Sequence, residues 1–254
     1  MSLEKIALVV EYEGTRYHGF QWQANKPTIQ DELERAIRKL DDKASRVIGA
    51  SRTDAGVHAK GQVVSFWTKS KLSEKTLVKA LNYHLPDDVA VKAACKVDAN
   101  FDVRRDALSR QYDYYILDSN TPSPLSRNFA LFLARQLHIE AMNEACYIIK
   151  GRHDFMSFAS SLNGIKETVR TVYEAEFRKR ANFVVFHVVG DSFLPHQVRN
   201  TVGLLIRVGL GKESVDYFRA VMEAKTLGLA GPTVSPCGLY LTGVNYARPL
   251  GEQG

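Results

Sequence analysis

The residues best suited to chemistry lie in one short stretch, residues 50–66, which reads ASRTDAGVHAKGQVVSF. Its single carboxylate belongs to Asp54, and the small Ala55 and Gly56 that follow leave room for a substrate beside it. Arg52, two residues earlier, can hold an anion such as phosphate through two hydrogen bonds. A loop aspartate more often caps a turn, so Asp54 is a candidate nucleophile whose alternative is a structural role.

His58, in the same stretch, is the candidate general base by residue type, because an imidazole titrates near neutral pH. A lone loop histidine more often serves as a structural hydrogen-bonding group, and we predict that role here. The seven histidines and three cysteines show none of the paired spacings typical of metal ligands. We therefore expect no metal site.

Two further candidates lie in the second half of the chain. Tyr112 belongs to RQYDYYI, and on a strand it would share a face with Tyr114. That face is either packed core or an aromatic platform on which a nucleobase stacks. Arg199 begins an otherwise apolar helix, where a buried arginine needs a carboxylate such as Asp54; the alternative is a surface arginine without a role.

Composition limits the class of protein and of partner. The 254 residues are 45% hydrophobic and 24% charged, as in soluble globular proteins. A net charge of +6 and a pI of about 9.1 favour a polyanionic partner. The three cysteines lie far apart, which fits a reducing cytoplasm. No apolar run is long enough to span a membrane, and no signal peptide is visible.

The elements that must position these residues repeat one order. In the first half, hydrophobic patterning and capping residues predict βαββαβ, the ferredoxin-like arrangement. The predicted ranges are strand 6–12, a helix capped by Thr28, strands 43–49 and 62–68, a helix capped by Ser73, and strand 89–97.

After a linker the order begins again, with an extra helix before the last strand. The predicted ranges are strand 107–117, helix 138–150, a hairpin of 169–178 and 182–189, helices near 198–206 and 214–223, and strand 238–246. We therefore predict an α+β protein with two ferredoxin-like domains, residues 1–103 and 104–254, flanking a central cleft.

These motifs, taken in order, resemble one family along nearly the whole chain. SRTDAGVHAKGQVVSFW, EYEGTRYHGFQWQ, FDVRRDALSRQYDYYI and FLPHQVRNTVGLLIRVG are similar to segments of the TruA family of tRNA pseudouridine synthases. The resemblance implies the pseudouridine synthase fold and isomerisation of uridine at positions 38, 39 and 40, in the anticodon stem-loop of tRNA. It also implies that no cofactor is used, and that a homodimer binds each tRNA through both subunits.

The resemblance also implies roles for individual residues. Asp54 matches the catalytic aspartate, Tyr112 the active-site tyrosine, and Arg199 the arginine that pairs with the aspartate. Arg52 matches an arginine that binds the RNA backbone and assists flipping. We expect further RNA contacts from basic residues spread along the chain: Arg16, Lys60, Arg110 and Arg170. The sequence departs from the family at three positions without losing a catalytic group: Ser51, Ser65 and Gln197.

Three other functions are weighed against this one. A non-catalytic RNA-binding module fits duplicated ferredoxin-like sheets, but it leaves Asp54 and Arg199 without a purpose. A synthase of the same chemistry could act on another RNA or another tRNA position. A glycoside or nucleoside hydrolase usually needs two carboxylates, and only Asp54 stands out.

Overall fold

Ten β-strands and five α-helices form along residues 3–252, the part of the chain that the computed structural model describes. The helices are α1 (Ile29–Leu40), α2 (Glu74–His84), α3 (Ile139–Ile149), α4 (Gln197–Gly209) and α5 (Val215–Ala224). The strands are β1 (Glu4–Tyr12), β2 (Ile48–Gly49), β3 (His58–Thr68), β4 (Val89–Val97), β5 (Ala107–Leu117), β6 (Leu131–Phe132), β7 (Gly151–Asp154), β8 (Val169–Arg180), β9 (Phe183–Gly190) and β10 (Leu239–Tyr246). The predicted mixture of helix and strand is confirmed.

The chain divides into two compact units, and their bounds differ from the predicted domains. The first contains the residues up to 110 and those from 240 onwards; the second contains residues 111–239. The sequence prediction had divided the chain after residue 103 and assigned the last strand to the second domain. The first unit includes β10 from Tyr240 onwards, and there Tyr240 and Leu241 pair with the start of β3.

In the first unit the strands run in the order β4, β1, β3 and β10, and β2 also pairs with β3. β1 is antiparallel to both β3 and β4, whereas β10 is parallel to β3. The elements before residue 98 have the predicted βαββαβ order. Of the predicted strand 43–49, only Ile48 and Gly49 pair with β3, so this strand is shorter than expected.

The helices of the first unit begin at the predicted caps. The Thr28 hydroxyl accepts the N–H of Asp31, and the Ser73 hydroxyl accepts that of Thr76, so each satisfies a backbone donor of the first turn. One face of each helix is buried, through residues at helical spacing. On α1 these include Ile29, Leu33, Ala36 and Ile37, and on α2 they are Leu77 and Leu81.

In the second unit the strands run in the order β5, β9, β8 and β7, and β6 pairs with β5. β8 and β9 form the predicted hairpin, with Ala181 at a positive φ of 52° in its turn. α3, α4 and α5 pack against one another, and α4 and α5 also contact the short 3-10 helix Met156–Phe158. There the ring centroid of Phe158 lies 5.6 Å from that of Phe218, and both side chains are fully buried.

Candidate active site

The loop that carries Asp54 follows β2 and is fixed by one buried glutamine. The Gln62 side chain is fully buried and forms two hydrogen bonds with the backbone of Ser51. Its Oε1 accepts the Ser51 N–H at 3.2 Å, and its Nε2 donates to the Ser51 carbonyl at 2.8 Å. One residue earlier, the Ala50 N–H donates to the Val63 carbonyl at 2.8 Å. Backbone pairing with β3 ends at Ala50, and the Gln62 side chain forms the next two hydrogen bonds, with the backbone of Ser51.

Thr53, the residue before the carboxylate, is held from two sides. The hydroxyl of Tyr12 lies 2.8 Å from that of Thr53, and the Phe20 N–H donates to the Thr53 carbonyl at 3.0 Å. Gly19 lies against the same carbonyl at a φ of +90°, where a Cβ would approach the oxygen to 2.6 Å. Only glycine fits this position without moving the loop.

Asp54 itself begins a tight turn and is half-buried. Its carbonyl accepts the Val57 N–H at 3.2 Å, and the Gly56 N–H donates to the Tyr17 carbonyl at 3.2 Å. Gly56 has a positive φ of 78°, and Ala55 is exposed. Hydrogen bonds therefore hold the backbone on both sides of Asp54, and the carboxylate extends from this fixed segment. The two residues that follow, Ala55 and Gly56, are small.

His58 supports this turn from within the unit. Its side chain is buried, and its Nδ1 accepts the Gly14 N–H at 3.1 Å. Its ring stacks on that of Tyr240, with centroids 4.7 Å apart. Because Nδ1 accepts a backbone hydrogen, the neutral ring carries its own hydrogen on Nε2. These contacts describe the structural role that the sequence predicts for His58.

Tyr112 lies on β5 in the second unit, with only 6% of its surface exposed. Its ring meets that of Phe193 edge to face, with centroids 5.4 Å apart. Tyr114, predicted on the same face, is fully buried and donates from its hydroxyl to the Ser235 carbonyl at 2.8 Å. Burial raises the pKa of Tyr114 far above its ordinary value. Tyr114 is therefore core, and Tyr112 lies at the border of that core.

Arg199 is the third residue of α4, as its place at the start of an apolar helix predicts. It is half-buried, and its Nε donates to the Val234 carbonyl at 2.9 Å. The next residue, Asn200, is buried and donates to the Phe158 carbonyl at 2.8 Å. The first turn of α4 is thus joined to two other segments of the second unit by side-chain hydrogen bonds, which fix the origin of the Arg199 side chain.

The residues predicted to bind RNA occupy different environments. Arg16 is exposed and donates from Nε to Asp88 at 2.7 Å. Lys60 is exposed, with its Nζ 5.0 Å from the centroid of the Tyr240 ring. Arg170 is half-buried and donates to the Val169 carbonyl at 2.6 Å. The exposed pair can reach a ligand, and Arg170 is partly turned towards its own backbone.

Arg110 is buried, which corrects its predicted placement at an RNA-binding surface. The residue is 8% exposed, and its guanidinium donates to three backbone carbonyls, those of Ala50, Arg104 and Ala107. Carbonyl oxygens at 2.6–3.1 Å stabilise a buried guanidinium that otherwise would lose its hydration. The sequence could not reveal this arrangement because two of the three carbonyls come from other segments of the chain.

The predicted residues therefore form two sets. Asp54 and Arg52 share one loop of the first unit, whereas Tyr112 and Arg199 lie on β5 and α4 of the second. The prediction missed Gln62 and Tyr12 as supports of the loop; the one signal was a glutamine directly before the apolar pair Val63 and Val64 of a predicted strand. Across residues 3–252, no group of three or more His, Cys, Asp or Glu side chains is arranged to hold a metal ion. In the same range, no helix has the length and apolar content of a membrane span.

Comparisons with known proteins agree along both halves of the chain. The sequence pattern of a family described as tRNA pseudouridine synthase matches residues 8–106 and 145–247. A protein named tRNA pseudouridine synthase A from Francisella tularensis subsp. novicida is 40% identical over 244 residues, covering 96% of this chain and 95% of its own. One of the same name from Clostridium kluyveri is 39% identical, with coverage of 96% and 100%.

Among solved structures, a Cbf5–Nop10–Gar1 complex is similar at 15% identity and a TM-score of 0.36. The match covers 79% of this chain and less than half, 45%, of that one. The two sequence relatives, in contrast, match this chain almost from end to end.

Proposed function

The chain belongs to the tRNA pseudouridine synthase family, as a member of its TruA group, and from this premise we propose that it modifies the anticodon stem-loop. The family makes the chain an isomerase that converts uridine to pseudouridine in tRNA. The proposed targets are the uridines at positions 38, 39 and 40. The proposed working form is a cytoplasmic homodimer in which each tRNA contacts both subunits.

Asp54 is the proposed nucleophile, and the observation that carries this role is the fixed loop around it. Hydrogen bonds from Gln62 hold Ser51, and a hydrogen bond with Tyr12 holds Thr53, the residue directly before Asp54. Such preorganisation is what a group that must attack one atom of a substrate requires. Ala55 and Gly56 add little bulk beside the carboxylate.

The reaction exchanges one glycosidic bond for another. The target uridine is first extruded from the stem-loop, at a cost of a few kcal/mol. Asp54 attacks C1′, or assists elimination from the sugar, as the N1–C1′ bond breaks. The uracil then rotates. In the substitution route C5 attacks C1′ as the bond between Asp54 and C1′ breaks; in the elimination route Asp54 takes the C2′ proton and returns it as the C5–C1′ bond forms. C5 finally loses its proton and N1 gains one. The product has the same atoms as the substrate, so no co-reactant is required.

Tyr112 and Arg199 complete the proposed chemistry. Tyr112 stacks on the flipped uracil, a contact worth about 1–3 kcal/mol per base, and its hydroxyl is the candidate acceptor of the C5 proton. Arg199 supplies the positive charge that favours the ionised form of Asp54. Arg52 binds the RNA backbone and assists flipping, and exposed cations such as Arg16 and Lys60 contribute to binding.

Release of tritium from tRNA labelled at uridine C5 tests the role of Asp54. Asp54→Asn should bind tRNA with wild-type affinity and release no tritium, because the amide is a poor nucleophile at C1′. Asp42→Asn, which changes an exposed loop carboxylate, is the matched control and should release tritium at the wild-type rate. Substantial release by Asp54→Asn would end the proposal for this residue.

The same assay separates the two groups of the second unit. Arg199→Gln should lower turnover more than tRNA affinity, and Tyr112→Phe should keep affinity while slowing loss of the C5 proton. Wild-type turnover in either variant would remove the role assigned to that residue. Mapping of pseudouridine in tRNA transcripts tests the substrate, since modification outside positions 38, 39 and 40 contradicts the anticodon stem-loop assignment.

A further inference from the structure

Arg110 joins two segments of the first unit that are distant in sequence. Its Nη2 donates to the Ala50 carbonyl at 3.1 Å and to the Arg104 carbonyl at 2.6 Å. Two oxygens that share one nitrogen lie close together, so the Asp54 loop and the 102–106 turn are neighbours at this point. Arg52, two residues after Ala50, and Arg104 both have exposed side chains. The buried arginine thus brings together the two backbone segments from which these exposed arginines extend.

The carboxylates of the 102–106 turn are already engaged by other groups. Asp102 pairs with the Arg105 side chain at 3.1 Å and accepts the backbone N–H groups of Arg104 and Arg105. These bonds, that of the Arg105 N–H above all, hold the pKa of Asp102 below its usual value. Asp106 accepts the N–H of Asp102. Asp102 therefore neutralises the charge of Arg105, whereas neither carboxylate of this turn pairs with the Arg104 side chain.

Arg52 and Arg104 extend from these two adjoining backbone segments, and both carry a positive charge. Partial burial, and next the charge of Arg104, lower the pKa of the Arg52 guanidinium. Within residues 3–252, neither guanidinium forms an ion pair with a carboxylate. Two positive charges on adjoining segments that no carboxylate in this range neutralises favour the binding of an anion.

We propose that Arg104 and Arg52 together bind a single phosphate of the RNA backbone, beside the nucleotide that Asp54 attacks. A phosphodiester suits the site because its two charged oxygens can each accept from a guanidinium fork. Arg52 is two residues from Asp54, so the phosphate held here belongs to the target nucleotide or to its neighbour. The inference rests on the proposed function and adds to it one binding residue, Arg104, and its shared ligand.

The test measures tRNA affinity across a range of salt concentrations for Arg104→Gln, Arg52→Gln and the double variant. Arg105→Gln is the matched control, because its side chain is exposed and paired with Asp102. Arg104→Gln should weaken binding roughly tenfold and reduce the slope of log K against log salt by about 0.7–0.9, one phosphate contact. Arg105→Gln should change neither, and all variants should unfold at the wild-type temperature.

If both arginines bind one phosphate, the double variant should lose less affinity than the sum of the two single losses. Additive losses, an unchanged salt slope in Arg104→Gln, or an equal effect of Arg105→Gln would each overturn the shared site. The wild-type protein separates this inference from the proposed function. If the wild-type protein forms pseudouridine in tRNA but Arg104→Gln does not change tRNA affinity, the inference is rejected and the proposed function is kept. If the wild-type protein forms no pseudouridine in tRNA, the proposed function is rejected.

Discussion

The two units place their candidate residues by different means. In the first, Asp54 lies on an irregular loop, and buried polar side chains such as Gln62 and Tyr12 hold the backbone around it. In the second, Tyr112 and Arg199 lie on a regular strand and a regular helix. α4 is buried along most of its length and β5 carries the fully buried Tyr114, so apolar packing holds these two elements, and hydrogen bonds from Arg199 and Asn200 also hold the first turn of α4.

This difference predicts different responses to mutation. A hydrogen bond between a buried side chain and a backbone group is directional, so its loss leaves a donor and an acceptor unpaired and releases one loop. Apolar packing is spread over many contacts, so its loss lowers the stability of the whole unit. Substitutions that disturb the Asp54 loop should therefore lower mainly turnover, and substitutions in the core of the second unit should lower mainly stability.

Phe218→Ala should give the largest effect and should appear in stability. Removing a fully buried phenylalanine costs about 3–5 kcal/mol of unfolding free energy, while turnover per folded molecule changes little. Chemical denaturation and tritium release, measured on the same samples, check both parts. Leu125→Ala, at an exposed position, should change stability by less than about 0.5 kcal/mol. A large loss of turnover in fully folded Phe218→Ala would show that the core of the second unit does not act mainly through stability.

Gln62→Ala should give an intermediate effect on stability and a large one on turnover. The unpaired N–H and carbonyl of Ser51 cost roughly 1–3 kcal/mol, and the displaced loop should lower kcat roughly 10- to 100-fold. Steady-state kinetics should show that kcat falls more than KM rises. Gln136→Ala, at an exposed glutamine, serves as the control. If the kinetics of Gln62→Ala match wild type, the loop does not depend on this side chain.

Tyr12→Phe should give the smallest effect because it removes one hydroxyl and keeps the ring. The bond to Thr53 contributes about 1 kcal/mol, and kcat should fall by less than in Gln62→Ala. Thermal denaturation and the same kinetic assay measure the two quantities. A kcat below that of Gln62→Ala would make Tyr12, not Gln62, the principal support of the loop.

Much of the secondary structure follows from local sequence. The alternation in residues 89–97 and the tyrosine-rich stretch 107–117 predict β4 and β5 at the bounds observed, since strand patterning is read over a few residues. Thr28 and Ser73 mark helix starts for the same reason. The pairing of β10 with β3 could not be predicted in this way because it joins segments about 180 residues apart in the chain.

The residues of the candidate site also differ in whether the local sequence reveals them. Asp54 is visible from its neighbours in sequence, because small residues and an arginine surround it there. Gln62 is not, because its partner Ser51 lies on another segment and its burial becomes evident only when the strand is formed. Arg110 was predicted to contact RNA as one of several basic residues spread along the chain; its burial depends on the carbonyls of Ala50 and Arg104, which only the folded chain brings to its guanidinium.

The parallel pairing of β10 with β3 also sets an order of events during synthesis. The strand that follows the Asp54 loop is made early, but its neighbour β10 begins only at residue 239. At about 5–20 residues per second, a ribosome needs roughly 6–26 seconds to make the intervening second unit, residues 111–239. Throughout that interval His58 has no Tyr240 ring to stack upon. A nascent chain can therefore contain every proposed site residue and still lack one of the contacts that support the Asp54 turn.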